Sequence, residues 1–286
     1  MTEPTPGTLL RLAAFTTDPA GGNPAGVWIG DVLPPADEMQ RIAAEVGFSE
    51  TAFLAPDGSG IPGTYRVRYF SPLAEVPFCG HATIASGIAL AERGAPGALT
   101  LRTNDGEVGL DVRLGPDAHQ IATLTSVEPS VRPVPPDLLD RALQLLDWRL
   151  DELDPDLPPA IGYAGVHHLI VAVRDYATLA RMAYAFDPMQ ALMLKYELTT
   201  LQLVWRETPL RFRARDPFAV GGVVEDPATG AAAAALGAYL RERGEIMAPA
   251  TFEITQGAEM GRPSHITVSI VPDDARVRVS GTAVAI

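Results

Sequence analysis

The sequence predicts an α+β protein built as two similar halves. Three observations carry this reading: strand-like segments separated by short helices, a repeat at an offset of 150 residues, and a Pro-rich stretch between the copies. With 286 residues, 47% of them apolar, the chain can bury one large core or two smaller ones.

In chain order, residues 11–16 and 25–29 read as strands around the turn Gly21-Gly22-Asn23-Pro24. Residues 35–46 have helical spacing, with Met39, Ile42, Ala43 and Val46 on one face. Residues 65–70 alternate like a half-buried strand, and 80–93 read as a helix closed by Gly94. Short strands are expected near 99–103, 107–113 and 120–125. The segment VEPSVRPVPP, residues 127–136, is the expected linker. Beyond it come a helix near 137–146 and strands at 165–173 and 201–205, with more helices between them. The division expected from this is a first half of residues 1–128, a second of 129–275, and a last strand near 276–286 returning to the first.

Setting residues 75–94 (EVPFCGHATIASGIALAERG) against 225–244 (EDPATGAAAAALGAYLRERG) matches half the positions without a gap. Alanine composition explains some of these identities, but not the shared Glu-x-Pro-x-x-Gly start or the Glu-Arg-Gly end. Each copy places a glycine, Gly80 or Gly230, where a loop enters a helix. There the unsatisfied N–H groups and the helix dipole favour an anion. Two such helix starts facing each other across a pseudo-twofold cleft would hold a carboxylate from both sides.

Bulk properties exclude several classes. A formal net charge of -13 argues against nucleic-acid binding, which needs a clustered basic face. The longest strongly apolar run, residues 231–240, is half the length of a membrane span, and residues 1–10 show no secretory signal. One cysteine, Cys79, rules out an internal disulfide and suits the cytoplasm. The only lysine, Lys195, lies in an ordinary amphipathic pattern, so a Schiff-base cofactor is not expected. Residues 58–63 fit G-x-G-x-x-G, but a strand follows and Pro62 interrupts, which removes the nucleotide reading. His167 and His168 are adjacent in a strand and face opposite sides; with the other histidines scattered, no metal is expected.

Five segments occur in a telling order: GNPA (22–25), SETAF (49–53), CGHAT (79–83), EDPATG (225–230), and QG followed by MGRPS (256–264). Together they resemble the PhzF-like isomerases of phenazine biosynthesis, relatives of diaminopimelate epimerase, over nearly the whole chain. The resemblance implies two halves, each a β-barrel-like sheet around a central helix, with the active site in the cleft between them. It also implies a cofactor-independent isomerase, a homodimer, acting on a small carboxylate-bearing metabolite of the dihydro-hydroxyanthranilate type.

On this resemblance Glu50 is the acid/base, a role a carboxyl fills near neutral pH if partial burial raises its pKa. His81 would line the site and relay a proton or polarise a carbonyl, and a helix N-terminus keeps it neutral. Asp226 matches an aspartate across the cleft; capping the following helix is a compatible role. Asn23, Cys79, Gly80, Thr229, Gly230 and Ala231 are the expected substrate-binding positions, although turn formation alone accounts for Asn23. Ala231 departs from the serine common in such sequences and removes one donor. The racemases of this fold use two cysteines, one per half. Here the repeat sets Cys79 against Thr229, whose hydroxyl is too weak an acid, so two-thiol racemisation is disfavoured. An amino-acid racemase using Cys79 with another partner, its thiol activated by the helix start, stays open. So does a binding protein that has kept the fold and lost turnover.

Overall fold

The structure is a computed structural model that describes residues 5–286. Residues 1–4, part of the segment read above for a secretory signal, lie outside the described residues. The chain forms two compact units: one ends at Thr125 and takes in Ser280–Ile286, and the other is Ser126–Val279.

In the first unit, strand β1 (Gly7–Ala14) pairs antiparallel with β2 (Asn23–Gly30). Helix α1 (Ala36–Val46) buries Met39, Ala43 and Val46, and Gly47 ends it in the left-handed conformation, φ 72°. That turn delivers the chain to β3 (Glu50–Pro56), parallel to β2. Strand β4 (Thr64–Phe70) returns antiparallel to β3 and pairs with the short β5 (Glu75–Val76). Helix α2 (Gly80–Glu92) follows, then β6 (Ala98–Arg102) parallel to β4, β7 (Glu107–Leu114) and β8 (Gln120–Thr125) in antiparallel succession.

The second unit begins with β9 (Ser130–Pro133) and α3 (Pro136–Leu146), where Pro136 suits the first helical turn. Strand β10 (Ala160–Tyr163) lies antiparallel to both β9 and β11 (His167–Val173). Helices α4 (Tyr176–Ala180) and α5 (Phe186–Lys195) lead to β12 (Leu198–Thr208), parallel to β11. Strand β13 (Arg211–Pro217) is antiparallel to β12 and pairs with the short β14 (Glu225–Asp226). Helix α6 (Gly230–Glu242) follows, then β15 (Ala250–Gln256) parallel to β13, and β16 (Ser264–Ile270) antiparallel to β15. The chain ends with β17 (Val277–Gly281) and β18 (Ala283–Ala285), the latter antiparallel to β1.

Read element by element, the units share one connectivity. Each has an antiparallel pair, a parallel third strand, an antiparallel fourth, a two-residue fifth, a helix, and a strand parallel to the fourth. The helix in each case is apolar all round. Residues 81–90 of α2 are all buried, as are Gly230 and residues 232–240 of α6. Helix α2 contacts β1, β2, β3, β7, β8 and β18, whereas α6 contacts β9, β10, β11, β12 and β16. Each helix is therefore packed against the strands of its own unit. A glycine in the middle of each permits this. A Cβ at Gly87 would stand 2.4 Å from Leu110 Cδ2, and one at Gly237 would stand 3.0 Å from Val268 and Val277.

The amphipathic helices cover outer faces. Met39 and Ala43 of α1 pack with Trp28, Phe53 and Phe70. Leu138, Ala142 and Leu146 of α3 pack with Met189, Leu192 and Met193 of α5 over Leu169, Val171, Leu201 and Leu203. Lys195 ends α5 with its side chain 66% exposed, an ordinary surface lysine. One sequence expectation is corrected. The stretch 127–136 is not a bare linker, because β9 lies inside it and pairs with β10 from Pro133↔Ala160 to Ser130↔Tyr163. Its prolines sit just before the strand (Pro129), at its last residue (Pro133) and beyond it (Pro135 and Pro136), where a missing N–H costs the ladder least.

Candidate active site

The first unit gathers Glu50, Cys79 and His81, although 29 residues separate the first two. Glu50 opens β3 directly after the α1 turn, and Cys79 and His81 flank Gly80 at the start of α2. The Cys79 carbonyl accepts the first helical bond, from Thr83 N at 3.0 Å, and the Thr83 hydroxyl at 2.7 Å. The Gly80, His81 and Ala82 amides therefore head the helix without an i−4 partner. A side chain at Gly80 would meet nothing nearer than the Phe78 ring at 4.0 Å.

The three functional atoms are close. Cys79 Sγ lies 3.5 Å from Glu50 Oε2, and His81 Nε2 lies 3.6 Å from the same oxygen. Ser49 Oγ reaches His81 Nε2 at 3.5 Å. The side chain of His81 is 7% exposed and that of Glu50 16%, so the carboxylate is the better-exposed partner. A carboxylate beside a thiol and an imidazole can take a proton and hand it on. The same donor set, with all its ligand atoms within 4.8 Å of one another, is one that a soft divalent ion accepts. Sulfur, however, sits 3.3 Å from Nδ1 and 3.9 Å from Nε2. It lies beside the ring rather than along either nitrogen's lone pair, and an ion shared by all three would require the imidazole to turn. Asn23 is buried as the first residue of β2, opposite Ala14.

The second unit gathers Asp226, Thr229, Gly230 and Ala231 at the start of α6. The Thr229 hydroxyl donates to Asp226 Oδ2 at 2.6 Å. Gln256, fully buried at the end of β15, fixes this turn with three contacts. Its amide nitrogen donates to Asp226 O at 2.8 Å and to Thr229 Oγ1 at 3.0 Å, and its oxygen accepts from Thr229 N at 3.2 Å. Asp226 holds the Thr229 hydroxyl at the start of α6. Ala231 is half-buried and presents only a methyl group.

Sequence reasoning missed the surroundings of this turn. Arg215 grips Glu225 with two bonds, Nε–Oε1 at 3.0 Å and a second nitrogen to Oε2 at 2.6 Å. The first unit has the same device in Arg68 and Glu75, at 2.7 and 2.6 Å. Asp216, next to Arg215, is fully buried, and burial first, then the Asp226 charge, pushes its carboxyl well above the usual range. His168 is equally buried, and desolvation holds its pKa at about 3. The signal for the arginine pair was present in the sequence, but the loop after β13 is longer than the one after β4. The ungapped offset therefore fails upstream of Glu75 and Glu225.

A family model described as "Phenazine biosynthesis-like protein" matches residues 12–286. An uncharacterized isomerase of Deinococcus radiodurans is 36% identical, covering 93% of this chain and 88% of its own. The trans-2,3-dihydro-3-hydroxyanthranilate isomerase of Pseudomonas fluorescens is 32% identical, covering 95% and 94%. The crystal structure of a PhzF-family phenazine biosynthesis protein from Bacillus anthracis superimposes with a TM-score of 0.86 at 26% identity, covering 97% and 96%. Duplicated connectivity, the five ordered motifs and these matches converge: the chain is an isomerase of the phenazine biosynthesis-like, or PhzF, family.

Proposed function

We propose that this protein is a cofactor-independent isomerase that moves a proton on a small carboxylate-bearing metabolite, with Glu50 as the acid/base. Glu50 takes a proton from a carbon next to an unsaturated or carbonyl system and returns it at another carbon. His81 and Asp226 position the substrate and share protons, and the helix starts at Gly80 and Gly230 hold its carboxylate. The single observation that supports this most is the meeting of Glu50 Oε2 with Cys79 and His81 beside the open start of α2. Asn23, Thr229 and Ala231 complete the proposed substrate contacts. Ala231 supplies no hydroxyl, which favours a substrate with one polar group fewer than a serine site would bind.

The test is incubation in heavy water with trans-2,3-dihydro-3-hydroxyanthranilate, the compound named for the Pseudomonas fluorescens relative, and with a panel of cyclic and acyclic carboxylates. Deuterium uptake is read by mass. Glu50→Gln is expected to slow uptake by about 100-fold or more, the usual contribution of a positioned acid/base. Equal uptake by the variant and the wild type sinks the assignment.

A second reading is favoured by the thiol 3.5 Å from Glu50: an amino-acid racemase in which Cys79 carries the α-proton. Uptake at Cα of amino acids, lost in Cys79→Ala and kept in Glu50→Gln, identifies it. We further propose a cytoplasmic homodimer, checked by fractionation and by light scattering of the purified chain. Among the described residues no helix is long and apolar enough to cross a membrane.

A further inference from the structure

The QG segment that opens the last sequence motif has no role in the proposed chemistry, yet its glutamine, Gln256, is fully buried. A glutamine amide has two N–H donors and an oxygen acceptor, and here backbone groups decide which way it is turned. The Asp226 carbonyl can only accept, so the atom 2.8 Å from it is the Gln256 nitrogen. The Thr229 N–H can only donate, so the atom 3.2 Å from it is the Gln256 oxygen. With the amide fixed, the remaining contact, Nε2 to Thr229 Oγ1 at 3.0 Å, is a donation to the hydroxyl oxygen. Thr229 therefore gives one lone pair to Gln256 and has its own proton to place elsewhere. Asp226 Oδ2 lies 2.6 Å away, the length of an O–H bond to an ionised carboxylate. Asp216, opposite Asp226 in the strand register and beside Thr229, is the rival acceptor, and the short contact assigns the proton to Asp226.

We propose that Gln256 is a positioning residue that sets the direction of a hydrogen-bond chain, from its own N–H to the Thr229 oxygen and from the Thr229 O–H to the Asp226 carboxylate. Asp226 is thereby presented as a proton acceptor held in one rotamer. Thr229 Oγ1 keeps a single lone pair, so a substrate group seated on it has to bring the proton. The donors at this helix start are backbone groups. The Thr229 carbonyl takes the first helical bond, from Ala233 N at 3.0 Å, which leaves the Gly230, Ala231 and Ala232 amides without an i−4 partner. The second unit thus meets a substrate with backbone donors and side-chain acceptors, and Gln256 is what keeps the two kinds apart. This rests on Asp226 belonging to the site, as proposed above.

Gly257, the other residue of the segment, closes the backbone onto the same turn. Its φ is 75°, and a Cβ there would stand 2.6 Å from Arg262 O and 2.8 Å from Pro227 O. The first unit forms its frame without this chain. Tyr69 lies opposite Val76 in the register, as Asp216 lies opposite Asp226, so Tyr69 answers to Asp216 and Val76 to Asp226. Three residues earlier on the same strands, Arg66 pairs with Arg102 and Arg213 with Thr255, so the next residue, Thr103, answers to Gln256. Thr103 turns its hydroxyl to Gly106 O at 2.9 Å, away from the helix start, and Cys79 stands where Thr229 does. Glutamine, hydroxyl and carboxylate are present together in one unit and absent together from the other, as members of one device would be.

The direction of the chain is tested by neutron diffraction from crystals of the full-length wild-type protein grown in heavy water. A Gln256 deuteron should lie on the line to Thr229 Oγ1, and the Thr229 deuteron on the line to Asp226 Oδ2. A Thr229 deuteron aimed at Gln256 or at Asp216 overturns the proposal. The role is tested in the deuterium-uptake assay. Gln256→Met, of similar size, should lower kcat about 10–100-fold and change KM less, since a misplaced group costs rate more than binding. Thr229→Val should lower kcat by a similar factor, and Thr229→Ser, which keeps the hydroxyl, should stay close to wild type. The double variant Gln256→Met with Thr229→Val should be no slower than the slower single, because both break one chain. An unchanged kcat in Gln256→Met, losses that multiply in the double variant, or a Thr229→Ser as slow as Thr229→Val each refute the role. If Gln256→Met fails to fold, the neutron map and the two Thr229 variants decide. If no probe exchanges with the wild type, the isomerase reading fails while the neutron map still judges the chain.

Discussion

Truncating Arg215 to alanine should destabilise the second unit far more than truncating Arg68 destabilises the first. Both arginines make the same bidentate grip on a glutamate, so the chemistry is held constant while burial differs. The Arg215–Glu225 side chains are 10% and 3% exposed, against 23% and 28% for Arg68–Glu75. Breaking a buried pair leaves an uncompensated charge at a cost of about 3–5 kcal/mol, whereas a largely solvated pair contributes about 1 kcal/mol or less. For a unit of this size, that difference corresponds to a fall in Tm of roughly 6–20 °C for Arg215→Ala and about 4 °C or less for Arg68→Ala. Fluorescence separates the responses, because Trp148 and Trp205 report on the second unit and Trp28 on the first. The double variant Arg215→Met with Glu225→Leu should recover much of the loss, since an apolar replacement of a buried pair is often near neutral. Recovery should be incomplete, because the Ala180 and Met182 carbonyls lose their donor. Equal effects of the two single truncations would refute the reasoning, as would a double variant no better than Arg215→Ala.

Two further predictions test the burial of Asp216 and the helix packing. Burial raises the Asp216 pKa above its unfolded value of 3.8, so the folded state binds more protons than the unfolded one, and stability falls as pH rises through the window above that value. The stability of Asp216→Asn relative to wild type should therefore grow by about 1.4 kcal/mol per pH unit above about pH 4, read by denaturant unfolding; a gap constant with pH excludes a buried acid. Gly87→Val should lose about 1–3 kcal/mol or more, because its branched side chain must displace Leu110, already 2.4 Å from where its Cβ would be. Unchanged thermal unfolding would show that α2 can shift without penalty.

The parts of the fold legible in the sequence were those with a local signature. Helix α1 carries its apolar stripe and its glycine stop, and α2 and α6 announce themselves by repeating one another. Strand β4 alternates. Strand β3 does not, because residues 51–55 are all buried, and a continuous apolar run has no period to read. Strand β9 was hidden by its prolines. The approach of Glu50 to Cys79 and His81 is set by strand pairing and by the turn at Gly47, neither of which spacing encodes. Asp216 was less visible still: in RFRARDP it looks like one more charge on a polar strand, and only the register with β14 turns it inward beside Asp226.

Duplication explains why the two units can differ in chemistry while agreeing in frame. The elements that fix the frame are held in common: a glycine-led helix apolar all round, a mid-helix glycine against the sheet, and an arginine–glutamate grip behind the short fifth strand. The positions that differ are those where side chains approach the helix start. Cys79 in one unit answers to Thr229 in the other, and Tyr69 to Asp216. A symmetric pair of thiols would suit a reaction that removes a proton from one face of a carbon and delivers its replacement to the other face. An asymmetric set suits a reaction whose two proton transfers occur at different atoms, because donor and acceptor then need different acidities. The first unit holds a carboxylate beside an imidazole, and the second holds a carboxylate that accepts from the Thr229 hydroxyl. On the proposed function, that difference between the units is what isomerisation needs and two-thiol racemisation does not.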